Sequence, residues 1–523
     1  MNNGLKTSIA KINPVVFWGS VIVCLIFYTP MVIYQKGAQE IINKMMHAIT
    51  YSLDWLWLSI CFAALGFLFW LAFSSYGNIK LGNSTDKPDF SYFTWVSMIF
   101  FGGVGSSIVY WASLEPIYYL QAPPFGLEPF SAEAAGFSLA YGIFHWGLTP
   151  WALFALPAIA FSYIYHVRKK PYLYPSYACR GVLGKSVDGW LGKAIDIFVI
   201  VGLVGGVGTA LGVNIPMYSA ITADYLNIED TLMLKIALTT AITAVFGYSA
   251  YKGLYSGIAK LSEFCARGIM ALVVFVLLAG PTFFMLSLYT ENIGNMLNNF
   301  FRMNLYTDPI GKSGFPQDWT VFYWAWWAAW AIYIGLFVTR ISKGRTIKQV
   351  ILTMLLAGTA GCSVFYLTFG SYVVDMTLNQ GIQMAQILKE QGGPAIVVSL
   401  LNTLPLSILI IPVFLMLMII FQATSFDSNA YTMAMIGCNK IKDAEEPPKW
   451  SRFWWAGMLF FVAVALMLVG GLKVVQLSSV LTSVPILFIM IILTISLMKW
   501  LKEDFGDIAS RQLLVIDYED TEK

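Results

Sequence analysis

The sequence predicts an all-α membrane protein, and three observations carry that prediction. Of 523 residues, 58% are hydrophobic and only 12% charged, about half the charge of a typical soluble chain. The apolar residues fall into nearly uncharged stretches of roughly 20 positions, the length at which a helix crosses a bilayer. Lys and Arg gather in alternate connections, which orients a chain that crosses many times.

Twelve transmembrane helices are expected in order, at 14–34, 52–75, 91–111, 136–165, 192–212, 231–251, 257–288, 320–339, 347–374, 405–437, 451–472 and 480–500. The first ends without a small-residue cleavage site and is followed by more spans, so it reads as a retained helix. Short helices are expected at 292–303, along the membrane surface, and at 382–390. With the N-terminus inside, the cytoplasmic connections collect most of the cations, including Arg168, Lys169, Lys170, Arg340, Lys343, Arg345 and Arg452. The opposite side holds Lys36, Lys44, Arg302, Lys312, Lys389 and Lys473, and the connections 112–135 and 213–230 hold none. That asymmetry places both termini in the cytoplasm of a multi-pass cell (inner) membrane protein.

The net charge of +3 gives no field that would attract nucleic acid. Six cysteines without a CxxC read as free, buried thiols, and three dispersed histidines offer no metal cluster. An intramembrane enzyme would need a nucleophile with its base or a metal constellation, and His145 alone within a span supplies neither.

Two spans read as interrupted. Span three carries FFGGVGSS, Phe100 to Ser107, and span eight carries an aromatic run. As the third and eighth of twelve, each would open a five-span half, giving a five-plus-five inverted repeat of spans 3–7 and 8–12. The chain then divides into 1–90 (tail and two peripheral helices), 91–291 (first repeat), 292–319 (surface helix and connector), 320–503 (second repeat) and 504–523 (tail). The competing reading of these glycines is close helix packing, which fits Gly202, Gly206, Gly208 and Gly212 of span five. GGVGTALG in that span has no strand before it, so a nucleotide loop is discarded.

The aromatic run WTVFYWAWWAAW puts Trp326 and Trp330 one helical turn apart, with Trp327 in the same sector and Trp324 three residues before it. Span four adds Trp146 and Trp151 in FHWGLTPW. Converging indoles suit a quaternary ammonium group, which donates no hydrogen bond and is held by ring faces at roughly 0.5–2 kcal/mol each. The alternative is an interfacial belt, but belts cluster at span ends and these residues lie inside one.

The stretch YTDPIGKSGFPQDWTVFYWAWW resembles the signature of the betaine/choline/carnitine transporter family. PPFGLEP, FHWG, RISKGRT and EEPP strengthen the resemblance, most of all to its carnitine/γ-butyrobetaine exchanger branch. It covers essentially the whole chain. It implies twelve spans, the inverted repeat, a homotrimer in the lipid bilayer, a trimethylammonium substrate and no cofactor beyond a possible sodium coupling ion. Carried over, the substrate box would be Tyr118, Trp146, Trp151, Trp326, Trp327 and Trp330, with Trp324 as a waystation. Phe154 stands where the family often has Tyr and keeps the ring without the hydroxyl. Backbone N–H groups at Gly103 and Gly105, or the hydroxyls of Ser106 and Ser107, would then meet the substrate carboxylate.

In span ten FQATSFDS resembles the sodium-coupled members, implying a cation site of Phe421, Thr424 and Ser425 with carbonyls of Phe101 and Val104. Hydroxyls and carbonyls freed by a broken helix make the oxygen-only set that hard cations take. The exchangers resemble one another in an arginine of span seven, and that position here is Cys265. Arg267 lies about 200° around the helix from it. Sodium-coupled symport by alternating access is therefore expected, with a sodium-independent exchanger as the alternative and an osmoregulatory betaine permease after it. The short terminal tails argue against an osmosensor, and the aromatic box against an open channel. Of the intramembrane acids, Asp427 reads as a structural group beside the cation site. Asp196 and Glu263 read as locally paired, and Glu115 stands at the outer end of span three.

Overall fold

The computed structural model describes residues 11–170, 172–252, 255–439 and 446–506. It is helical almost throughout, and the only β pairings among the described residues are two isolated bridges, Ile12–Cys438 and Lys80–Thr346. In chain order, α1 (Pro14–Ile33) and α2 (Gln35–Phe73) precede a bent pair, α3 (Tyr92–Gly103) and α4 (Ser107–Gln121). Then come α5 (Ala132–Val167), α6 (Trp190–Leu226) and α7 (Leu232–Lys252). A second bent pair, α8 (Tyr255–Ala279) and α9 (Thr282–Leu305), leads to α10 (Pro316–Ile341) and α11 (Ile347–Leu378). Two short helices, α12 (Met384–Gln391) and α13 (Gly393–Thr403), precede α14 (Ser407–Ile436), α15 (Lys449–Val469) and α16 (Leu472–Phe505). Among the described residues nine helices are long and apolar enough to cross a membrane, or eleven if each bent pair is one span. The sixth expected span coincides with α7, whose side chains are described only over Leu232–Ala244.

The expected opening of span three is present. α3 and α4 meet at 63°, and the link passes through Gly105, whose φ of +64° lies in the region that favours glycine. The second expected opening is absent, because the aromatic helix runs unbroken from Val321 to Ile341. Its alanines favour helix between the bulky rings. Its one glycine, Gly335, seats against Pro157 of α5, where an added Cβ would lie 2.8 Å from the proline Cβ. The helix that does open is α5, at Trp146 and Gly147, where Gly147 takes φ −100° and ψ −145°.

Span seven also differs from expectation. α8 ends at Ala279, and the chain turns by 108° through Gly280 and Pro281 into α9. Proline has no N–H with which to continue the ladder. α9 therefore begins ten residues before the surface helix expected at 292–303 and absorbs it. The stretch expected at 382–390 is α12, and α13 is an addition that follows Gly392 at φ +85°.

α10 is the centre of the molecule. Its most apolar stretch is entirely buried, packed against α5, α6 and α16. The glycines of α6 serve close packing, as an added Cβ on Gly206 would meet the Trp330 ring at 2.8 Å.

RISKGRT has a structural role on the polar face. The turn after α10 pairs with the connection after α2 through Leu81 N–H to Arg345 O (2.8 Å) and Gly344 N–H to Leu81 O (2.7 Å). Arg345 lies over the Trp95 ring at 4.6 Å and donates to Phe90 O at 2.9 Å. Lys343 pairs with Asp86 at 3.1 Å. Partial burial opposes ionisation of Asp86, but the Asn83 N–H and the Lys343 ammonium outweigh it and hold the carboxyl below its ordinary range.

Candidate substrate site

A narrow cavity, with about 20 Å³ of free space between its walls, lies where α3 gives way to α4. Its aromatic lining comes from α5 and α10, as Trp146, Phe154, Trp326, Trp327 and Trp330, with Phe426 added from α14. Its polar lining is the Gly103–Gly105 backbone with Ser107, Asn214, Gln422 and Ser425. No charged residue lines it among the described residues.

The indoles are set as adjoining faces of a box. Trp146 meets Trp326 at 5.7 Å and 89°, and Trp327 at 5.5 Å and 73°. Phe154 lies 4.4 Å from Trp327, so the ring in place of a tyrosine is part of the wall. Two contacts hold the walls. Trp326 donates its Nε1–H to Gly206 O at 3.0 Å, and Trp146 donates to the Glu115 carboxylate at 3.3 Å. Trp327 and Trp330 keep their indole N–H groups buried without a partner among the described residues.

Two expected box residues, Trp151 and Tyr118, and the expected waystation Trp324 do not line this cavity. Trp151 stands behind the wall, 5.6 Å from Trp327 and 6.4 Å from Phe100. Trp324 packs against Phe144 at 5.3 Å and His145 at 5.9 Å and does not line the cavity. Tyr118 lines a separate cavity with Tyr110, Lys235 and Gly393. It lies eleven residues beyond Ser107 on α4, about 16 Å along the helix.

Of the proposed cation ligands, Ser425 lies against two. Ser425 donates to Phe101 O at 3.2 Å and approaches Phe421 O at 3.4 Å, while Val104 lines the cavity beside them. These neutral oxygens, from the break and from α14, are of the kind a small hard cation takes. The side chains of Thr424 and Asp427 lie outside the described residues. α8, which carries the buried Cys265, packs against both α3 and α14. Arg267 instead faces out, with a side chain 73% exposed and paired with Glu263 at 3.5 Å.

Asp196 and His145, both noted in the sequence, find partners. Asp196 accepts from Ser176 N–H and Oγ, at 3.0 and 2.9 Å. His145 bridges the Tyr119 hydroxyl (2.9 Å) and Thr320 (3.0 Å) as a hydrogen-bonding residue. Sequence reasoning missed the binding of Glu115 by Tyr323, Tyr366 and Trp146. It also missed the cluster of Ser106, Asn214, Tyr218 and Gln422. The legible signal was Gln422 inside span ten, whereas Asn214 falls just past the end of span five as the sequence delimits it.

A helical membrane protein with an aromatic, uncharged cavity at a broken span has the form of a small-molecule transporter. Residues 15–506 match the model of the BCCT, betaine/carnitine/choline family transporter. A carnitine transporter of Acinetobacter baumannii is 34% identical over 466 residues, 89% of this chain and 84% of that protein. The uncharacterized transporter YeaV of Escherichia coli is 33% identical over 451 residues, 86% and 93% of the two chains. The chain belongs to the betaine/carnitine/choline transporter family, and it is a transporter, not an enzyme.

Proposed function

We propose that this protein takes up a trimethylammonium zwitterion, carnitine, γ-butyrobetaine or glycine betaine, by sodium-coupled symport with alternating access. The observation that carries the substrate class is the cavity lining. It offers ring faces for a cation that donates no hydrogen bond, and no charged residue among the described ones. The unpartnered indole N–H groups of Trp327 and Trp330 suit a carboxylate that the substrate brings with it. The match to a carnitine transporter supports the same class.

Sodium coupling is supported by the convergence of Ser425 with the Phe101 and Phe421 carbonyls. The exposed position of Arg267 counts against a guanidinium acting in place of the cation. The reading includes twelve spans, with α7 as the sixth, and the inverted repeat of spans 3–7 and 8–12. It also includes a homotrimer in the cell membrane with both termini cytoplasmic.

Uptake of radiolabelled carnitine into proteoliposomes tests it, with and without an inward sodium gradient and with and without unlabelled carnitine inside. Sodium-dependent uptake into empty vesicles is expected. Uptake that ignores sodium but requires internal substrate would make the protein an exchanger.

A further inference from the structure

Two amides that the aromatic reading leaves unused meet at the α3–α4 break. Asn214 of α6 and Gln422 of α14 both line the cavity, and they are 0% and 1% exposed. The two hydrogens of Asn214 Nδ2 face three acceptors, Ser107 Oγ (2.9 Å), Ser106 Oγ (3.2 Å) and Gln422 Oε1 (2.5 Å). Gln422 Oε1 also accepts from the Tyr218 hydroxyl at 3.1 Å and from Ser106. One end of each amide is thus saturated. The other ends, Asn214 Oδ1 and Gln422 Nε2, are buried without a partner among the described residues. Buried polar atoms left so are unfavourable, and a ligand in the cavity is what can complete them.

The pair offers one free acceptor and one free donor. Turning both amides over exchanges their roles but leaves the same offer, one C=O and one NH₂. A carboxylate uses only donors and a methylene uses neither, whereas a hydroxyl donates and accepts at a single oxygen. We propose that Asn214 and Gln422 form a hydroxyl-reading subsite, so that a trimethylammonium substrate with a hydroxyl on its chain is preferred over the same compound without one. The inference rests on the trimethylammonium reading of this cavity.

The test is equilibrium binding to the purified full chain, followed by tryptophan fluorescence, with L-carnitine and γ-butyrobetaine, which differ by that hydroxyl alone. Carnitine is expected to bind about tenfold more tightly, the size of one to two neutral hydrogen bonds. Gln422→Met, similar in shape but without an amide, is expected to bring the ratio to within about twofold, whatever it does to absolute affinity. Equal binding of the two compounds by the unaltered protein overturns the hydroxyl subsite but spares the trimethylammonium reading, and needs no variant to fold. A folded Gln422→Met that keeps the tenfold ratio also overturns it. Binding of neither compound overturns the hydroxyl subsite, and failure of glycine betaine to bind as well overturns the trimethylammonium reading too.

Discussion

Trp146 is held by Glu115 from behind while it forms the box in front. Its indole donates to the carboxylate at 3.3 Å, and its ring meets Trp326 and Trp327 edge to face. The same carboxylate accepts from Tyr366 at 2.9 Å and from Tyr323 of α10, so one buried acid joins α4, α5, α10 and α11 around the substrate wall. Glu115→Ala would leave these donors buried with no acceptor, at about 1–3 kcal/mol for each group. Thermal stability should fall sharply and carnitine affinity by about tenfold as Trp146 loses its anchor. Glu115→Gln keeps an acceptor for Trp146, and hydroxyls can turn to serve the amide, so affinity should stay within about threefold. Fluorescence binding and thermal unfolding measure both, and an Ala variant as stable and as tight as the unaltered protein would refute the anchoring role.

Trp327 separates ring chemistry from packing. It touches Trp146, Trp151 and Phe154 and lines the cavity. Trp327→Leu removes a cation-binding face and should weaken binding by about thirtyfold, near the upper value for one desolvated face. It should also lower stability, since it leaves part of a large buried volume empty. Trp327→Phe keeps a face and should cost less than about tenfold. Equal loss from both variants in a binding titration would show that size, not the π face, matters there.

How much of this site could be read from the sequence depends on whether a residue's role is local. The glycine break was legible because Gly103, Val104 and Gly105 themselves shape the backbone there. Trp326, Trp327 and Trp330 were legible because helical spacing fixes a shared sector. Tyr118 was assigned to the box and Trp324 to a waystation by resemblance, and neither lines the central cavity. Their placement depends on how far α4 runs past the break and on which side of α10 meets α5, and periodicity contains neither. The false opening in span eight has a similar origin. An aromatic run was read as a broken helix, although alanines fill the gaps between its rings, and the opening lies at Gly147 of its packing partner α5. Asn214 and Gln422 are 208 positions apart in sequence, so only the packing of α6 against α14 brings their amides together.

Ser425 tests the coupling ion independently of the box. Its hydroxyl reaches the Phe101 and Phe421 carbonyls on the polar side of the cavity. Ser425→Ala removes one oxygen ligand and should raise the sodium concentration for half-maximal uptake by about tenfold, the size of one charge-assisted contact. Carnitine affinity at saturating sodium should hardly change. Proteoliposome uptake across a sodium series is the measurement, and an equal loss at every sodium concentration would count against a cation site there.

The two glycines of the break should fail in different ways. Gly105 has φ +64°, and the nearest atom to an added Cβ is Ser425 Oγ at 3.9 Å. Space is therefore ample, and only backbone strain opposes Gly105→Ala, at about 1–2 kcal/mol. That strain should appear as lower thermal stability, with substrate affinity nearly kept in the folded fraction. Gly103 is helical, but an added Cβ would press on Phe154 at 3.3 Å and Trp151 at 3.4 Å, one ring in the box wall and one behind it. Gly103→Ala should instead shift the wall, weakening carnitine binding by about tenfold with a smaller change in stability. Thermal unfolding and binding measured on both variants separate the two. A Gly105→Ala protein that loses binding but not stability would mean that the break contacts substrate through Gly105 itself rather than simply permitting the turn.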